Sequence, residues 1–204
     1  MARKKKVVSK TSTVTGTQSI GYQGTINLSV KHGNRTIINK QYHNNGRYKL
    51  FKFIASCLAG NVGQQAKPVK IKLFDYPSEI QTPATFSWFT DSRDLKEVSP
   101  YILYDATPTI KLKHNTAIID GNNDTDYYEV NFHFNIPFAY ITGTKIYAVG
   151  LYPNNAVDPK NDVYAYYLFT NEQKTDWDEV VIGEATSDFS LIINWTLSIS
   201  NKEN

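Results

Sequence analysis

"DFSLIINWTLSISN", residues 188–201, decides the fold. Phe189, Leu191, Ile193, Trp195, Leu197 and Ile199 occupy every second position, with Ser190, Asn194, Thr196 and Ser198 among the residues between them. Successive side chains of a strand point to opposite faces. Six apolar residues at period two therefore place one side of a long strand on a hydrophobic core. The same period runs through "YYEVNFHFNI" (residues 127–136), where Tyr128, Val130, Phe132, Phe134 and Ile136 alternate with Glu129, Asn131, His133 and Asn135. It recurs in "YQGTINLSV" (residues 22–30), with Ile26, Leu28 and Val30 on one face. "KHGN" then turns through Gly33-Asn34, residues suited to left-handed backbone, and "RTIINKQY" pairs back as a hairpin.

Further strands are predicted at "VKIKLFDY", "PTIKLKHNTAIID", "KIYAVGLYP" (more continuously apolar, hence central), "DVYAYYLF" and "EVVIGEA". Between residues 77 and 100 lies a long connection with three prolines, where residues 84–90 could add a strand carrying Trp88 and Phe89. Aromatics make up 13% of the 204 residues, in keeping with strands. Many strands with little helix indicate a mainly β protein, an antiparallel β-sandwich of jelly-roll type. Residues 16–204 form its single domain, and residues 1–15 a flexible basic arm.

One segment breaks the pattern. In "QYHNNGRYKLFKFIASCLAGN" (residues 41–61), Leu50, Phe51, Ile54 and Leu58 fall on one helical face. Asn44 or Asn45 would cap this short helix, and Gly60 would stop it. It is expected to cover an open end of the sandwich, turning Lys49 and Lys52 outward to a partner. Cys57, the single cysteine, reads as a small buried hydrophobe, and no intrachain disulfide can form.

Net charge is +3, yet Arg3, Lys4, Lys5, Lys6 and Lys10 alone supply five positive charges, so the rest carries −2. The arm reads first as a solvated tail that orders on assembly, and otherwise as one that docks on an acidic neighbouring subunit or makes weak contact with nucleic acid through phosphate neutralisation. Nothing resembles a secretory signal or a membrane span, so synthesis in a reducing cytoplasm is expected. No reaction is legible, and no catalytic residue, metal ligand or cofactor is assigned. "DGNNDTD" (residues 120–126) places Asp120, Asn122 and Asp124 at calcium-loop positions, but Thr125 and Asn131 stand where Gly and Glu are required, which favours a polar hairpin loop. His32, His43, His114 and His133 share no ligand spacing. Asp176, Asp178 and Glu179 flank Trp177, a pattern shared by sugar sites and solvated loops.

Three segments together carry a resemblance: residues 24–61, "KIYAVGLYP" and "SLIINWTLSISN". A strand pair, a helix ending in Leu-Ala-Gly and a long closing strand resemble small structural proteins of tailed-bacteriophage virions, from tails, collars and baseplates. The richness in Asn, Lys and Tyr is similar to that of crAss-like phages. The resemblance spans about half the chain. It implies a non-enzymatic virion protein, made in the host cytoplasm, that assembles with itself and other virion proteins into a symmetric ring or collar. Two alternatives stay open: a carbohydrate- or receptor-binding β-sandwich, and a capsid-type jelly roll whose arm touches nucleic acid.

Overall fold

A computed structural model describes residues 19–46, 48–61, 63, 67–75, 95–105, 107–113, 127–170, 176, 178, 180–181 and 188–202. The basic arm, residues 84–90, His114, the Asp120/Asn122/Asp124 loop, Trp177 and Glu179 lie outside the described residues.

The fold is mainly β: two antiparallel sheets packed face to face, with one α-helix. The alternating stretches form the first sheet. Strands β1 (Ser19–His32), β2 (Arg35–Gly46), β6 (Thr109–Lys113), β7 (Tyr127–Ile136) and β12 (Phe189–Lys202) lie in the order β6-β7-β12-β1-β2. The closing strand is central, with Trp195 in register with both Ile26 and Phe132. The Gly33-Asn34 turn forms as predicted, with Gly33 at φ +55°. The second sheet holds β3 (Pro68–Asp75), β4 (Lys96–Glu97), β5 (Ile102–Leu103), β9 (Ala148–Pro153) and β10 (Ala165–Leu168), with β9 central between β3 and β10. A minor ladder joins β8 (Lys145–Ile146) to β11 (Val180–Val181).

Two crossings close the sandwich. Strand β2 leaves β1 and pairs with β10 through Asn45 and Gly46. On the opposite edge, Tyr104 N–H bonds to Val69 in the second sheet, and Asp105 N–H bonds to His133 in the first. Asn44 and Asn45 therefore belong to a strand, which overturns their expected capping role: the ladder runs on to Gly46 before the helix starts. "KIYAVGLYP" also proves to be two strands, since Tyr147 separates β8 from β9 and each takes a different partner.

Ile26, Leu28, Phe132, Phe134, Ile193 and Trp195 face Ile71, Leu73, Val149 and Leu151 in the main core. The second sheet is covered on both faces. Its outer side carries a smaller cluster of Phe74, Leu95, Ala148, Tyr152, Ala156 and Val163. That is why β9 is buried at every position. Within the cluster the Tyr152 ring lies over Gly150, so closely that a Cβ there would sit 2.6 Å from it. The ring cannot swing away, because its hydroxyl donates to the Pro159 carbonyl at 2.6 Å. Gly150→Ala is expected to cost about 1–3 kcal/mol, the usual cost of overpacking. Chemical denaturation checks this, and a silent substitution would show that Tyr152 yields freely.

Helix α1 (Tyr48–Leu58) ends in a Schellman motif: Gly60 at φ +71°, with Gly60 N–H bonded to Cys57 and Asn61 N–H to Ser56. It docks through Leu50, Phe53 and Ile54, with Phe53 packed on Tyr164 at 5.6 Å between ring centroids. Phe51 and Leu58 are exposed, at 47% and 75%, and Cys57 is exposed too. This corrects the expected buried face. The helix is apolar around more than half its circumference, wider than the contact the sandwich offers, and only Leu50 of the expected four residues is fully covered. No described helix is long and apolar enough to cross a membrane.

Candidate functional site

Asp178, one of the acidic residues read from sequence, lies on the core-facing side of β2. Its Oδ1 accepts a hydrogen bond from Lys40 Nζ at 2.5 Å, and its Oδ2 accepts one from the Tyr42 hydroxyl at 3.2 Å. Its backbone N–H bonds to Phe169. Lys40 and Tyr42 are two residues apart on one strand, so their side chains emerge on the same face. Tyr167 and Phe169 pack their rings against Tyr42. Burial, reinforced by the Asp178 charge, pushes the Tyr42 hydroxyl well above the usual tyrosine range, so it remains a neutral donor. Both carboxylate oxygens are thus engaged in fastening Asp178 to β2. Asp176 is exposed, whereas Asp178 is half-buried.

A second polar group sits on the outer side of the second sheet. Lys72, nearly buried, pairs with Glu97 at 2.6 Å and lies 4.4 Å from the centre of the Tyr101 ring. The Tyr101 hydroxyl is buried without a hydrogen-bond partner. Burial, then the charges of Asp162, Glu97 and Asp158, pushes it up to about 12. Tyr164, by burial above all, is also pushed up to about 12, and burial raises Tyr152 and Tyr167 as well.

These shifts fix a pH dependence. A tyrosine whose pKa is raised by folding supports the fold fully below its unfolded value near 10, and that support is lost as pH climbs through the raised value. Stability is therefore expected to fall steeply between about pH 10 and 12. A spectrophotometric tyrosinate titration should show a late class of tyrosines that ionise together with unfolding. A single smooth titration near pH 10, with the fold intact, would contradict this.

The structure separates the two helix lysines. Lys52 is exposed, whereas Lys49 turns back to Asp162 at 3.0 Å. Burial pushes the Asp162 carboxyl up, but the backbone N–H groups of Asp158 and Val157 and the Lys49 ammonium outweigh it and hold the group low. Lys49 thus ties the helix to the loop after β9. Sequence reasoning missed this tie because 113 residues separate the two partners.

His32 pairs with Asp188 at 2.5 Å and stacks on Phe189, while His133 Nδ1 contacts Asn194 Oδ1 at 2.5 Å. Among the described residues no group of three or more His, Cys, Asp or Glu side chains is placed to hold a metal. Comparison with protein-family profiles, with curated proteins and with solved structures found no match to this chain.

Proposed function

We propose that this chain is a non-enzymatic structural protein of a tailed-bacteriophage virion, assembling with copies of itself and with other virion proteins into a symmetric ring, collar or other tail component. The observation that carries the reading is the outward flank of α1. Phe51, Ala55 and Leu58 recur at helical spacing and form an exposed apolar stripe. The helix beneath is firmly anchored by Leu50 and by the Lys49–Asp162 pair. Apolar surface held on a rigid element is characteristic of contact sites. The basic arm, Arg3, Lys4, Lys5, Lys6 and Lys10, adds a charged extension for a body that sums to −2, and Lys52 on α1 is a further exposed cation. The resemblance of residues 24–61 and of the closing strand to phage structural proteins supports the same reading.

The test is assembly measured against folding. Leu58→Glu should melt like the parent and fail to oligomerise in light scattering. Deleting residues 1–10 should likewise leave the melt unchanged and reduce incorporation into particles. Normal assembly by both variants would overturn the proposal.

The outer face of the first sheet favours a second reading, recognition of a neutral glycan. Gln41, Asn27, Asn194 and His133 form one row across four strands, and Thr196 donates to Asn131 in the next. Asn is depleted in strands, so a face built from amides, hydroxyls and imidazole is suited to hydroxyl-bearing ligands. A glycan array with and without chelator would support this by a specific hit, and a blank array would exclude it.

A further inference from the structure

We infer that the outer edge of β6, which has no strand partner among the described residues, is a docking site for an extended partner segment that alternates apolar and acidic residues. The inference goes beyond the proposed function and does not depend on it. Strand β6 ends the sheet order, and among the described residues it pairs only with β7. All five of its residues are exposed. One row of its backbone N–H and C=O groups therefore points away from the described sheet and can hydrogen-bond an added strand.

The two faces of β6 define what that strand must carry. Ile110 is in register with Val130, which pairs with Leu197; Leu112 is in register with Tyr128, which pairs with Ile199. Both rows continue the face that forms the core. Across the first row burial falls from Leu197, fully covered, through Val130, half-covered, to Ile110 at 70% exposure. In the second, Leu112 and Tyr128 are 46% and 54% exposed. The hydrophobic face of the first sheet thus extends beyond the second sheet that covers it. On the opposite face β6 presents Lys111 and Lys113; Glu129 of β7 is in register with Lys111 and lies 3.9 Å from Lys113.

Lysines commonly guard an edge against self-pairing, and these do. Two copies of β6 joined antiparallel about a two-fold axis would gather four lysines on one face, and like charges across strands destabilise the pair. Protection alone does not call for Ile110, Leu112 and Tyr128 to form an exposed apolar strip on the other face. Lysines above and aliphatics below instead select one complement. The incoming strand places carboxylates over Lys111 and Lys113, and apolar side chains over Ile110 and Leu112. This is strand addition in which backbone bonds give affinity and alternate side chains give specificity.

Fluorescence anisotropy on the full chain tests it, with two labelled peptides of about six residues, a typical strand length. One alternates Val and Glu, and the other Val and Lys. The Val–Glu peptide should bind at least about tenfold tighter, as expected when two cross-strand charge pairs change from repulsive to attractive. The exposed double substitution Lys111→Glu with Lys113→Glu should invert the preference, while Leu112→Thr should weaken both peptides. Equal binding of the two peptides, a preference untouched by the charge inversion, or no binding of either would overturn the inference. So would a dimer of the unmodified chain that Leu112→Lys abolishes.

Discussion

Trp195→Ala is expected to cost the fold about 3–5 kcal/mol, the usual range for truncating a buried large aromatic. Trp195 is fully buried and bulkier than any other fully buried side chain among the described residues. It sits on the central strand, opposite Ile26 on one side and Phe132 on the other. Strands β1, β7 and β12 share its environment, so the cavity would open where the first sheet meets the second, and no neighbouring strand could collapse into it alone. Against a typical total of about 5–15 kcal/mol, such a loss would leave a substantial unfolded population at ambient temperature. Equilibrium urea denaturation measures it, and a cost below about 1 kcal/mol would mean that the core does not centre on this residue.

Leu50→Ala is expected to cost about 2–5 kcal/mol, while Leu58→Ala should fall within about 0.5 kcal/mol of the parent. The two leucines lie on one short helix and looked equivalent in sequence. Leu50 is buried against the sandwich beside Phe53 and Ile54, whereas Leu58 lies beyond the reach of the sheet. The contrast is best read as a pair of thermal melts. Equal shifts for both variants would mean that the helix packs along its whole length.

Much of the fold was legible from side-chain period alone. Strands β1, β7 and β12 each keep one face apolar over a long run, and a one-residue slip would invert every side chain. The second sheet was harder to read because both of its faces are covered. In β3, Lys72 reads as a solvent position, yet it is nearly buried beneath Glu97 and against Tyr101. In β9 the continuous burial hid the break at Tyr147. The helix was found from its period, but its width was misjudged: its apolar arc promised a buried Phe51 and Leu58, and nothing local says how much of an arc a sheet will cover. The polar pairings were the least legible. Lys40 with Asp178 and Lys49 with Asp162 join residues more than a hundred positions apart, and only the tertiary fold brings them together.

The proposed role of this chain is assembly into a virion. The most direct measurement is the protein inventory of gradient-purified particles, with copy number from quantitative mass spectrometry and position from electron microscopy. The account predicts that the chain is present in a fixed multiple of the particle, at a tail or collar site. A chain abundant in the lysate but missing from purified particles would contradict it.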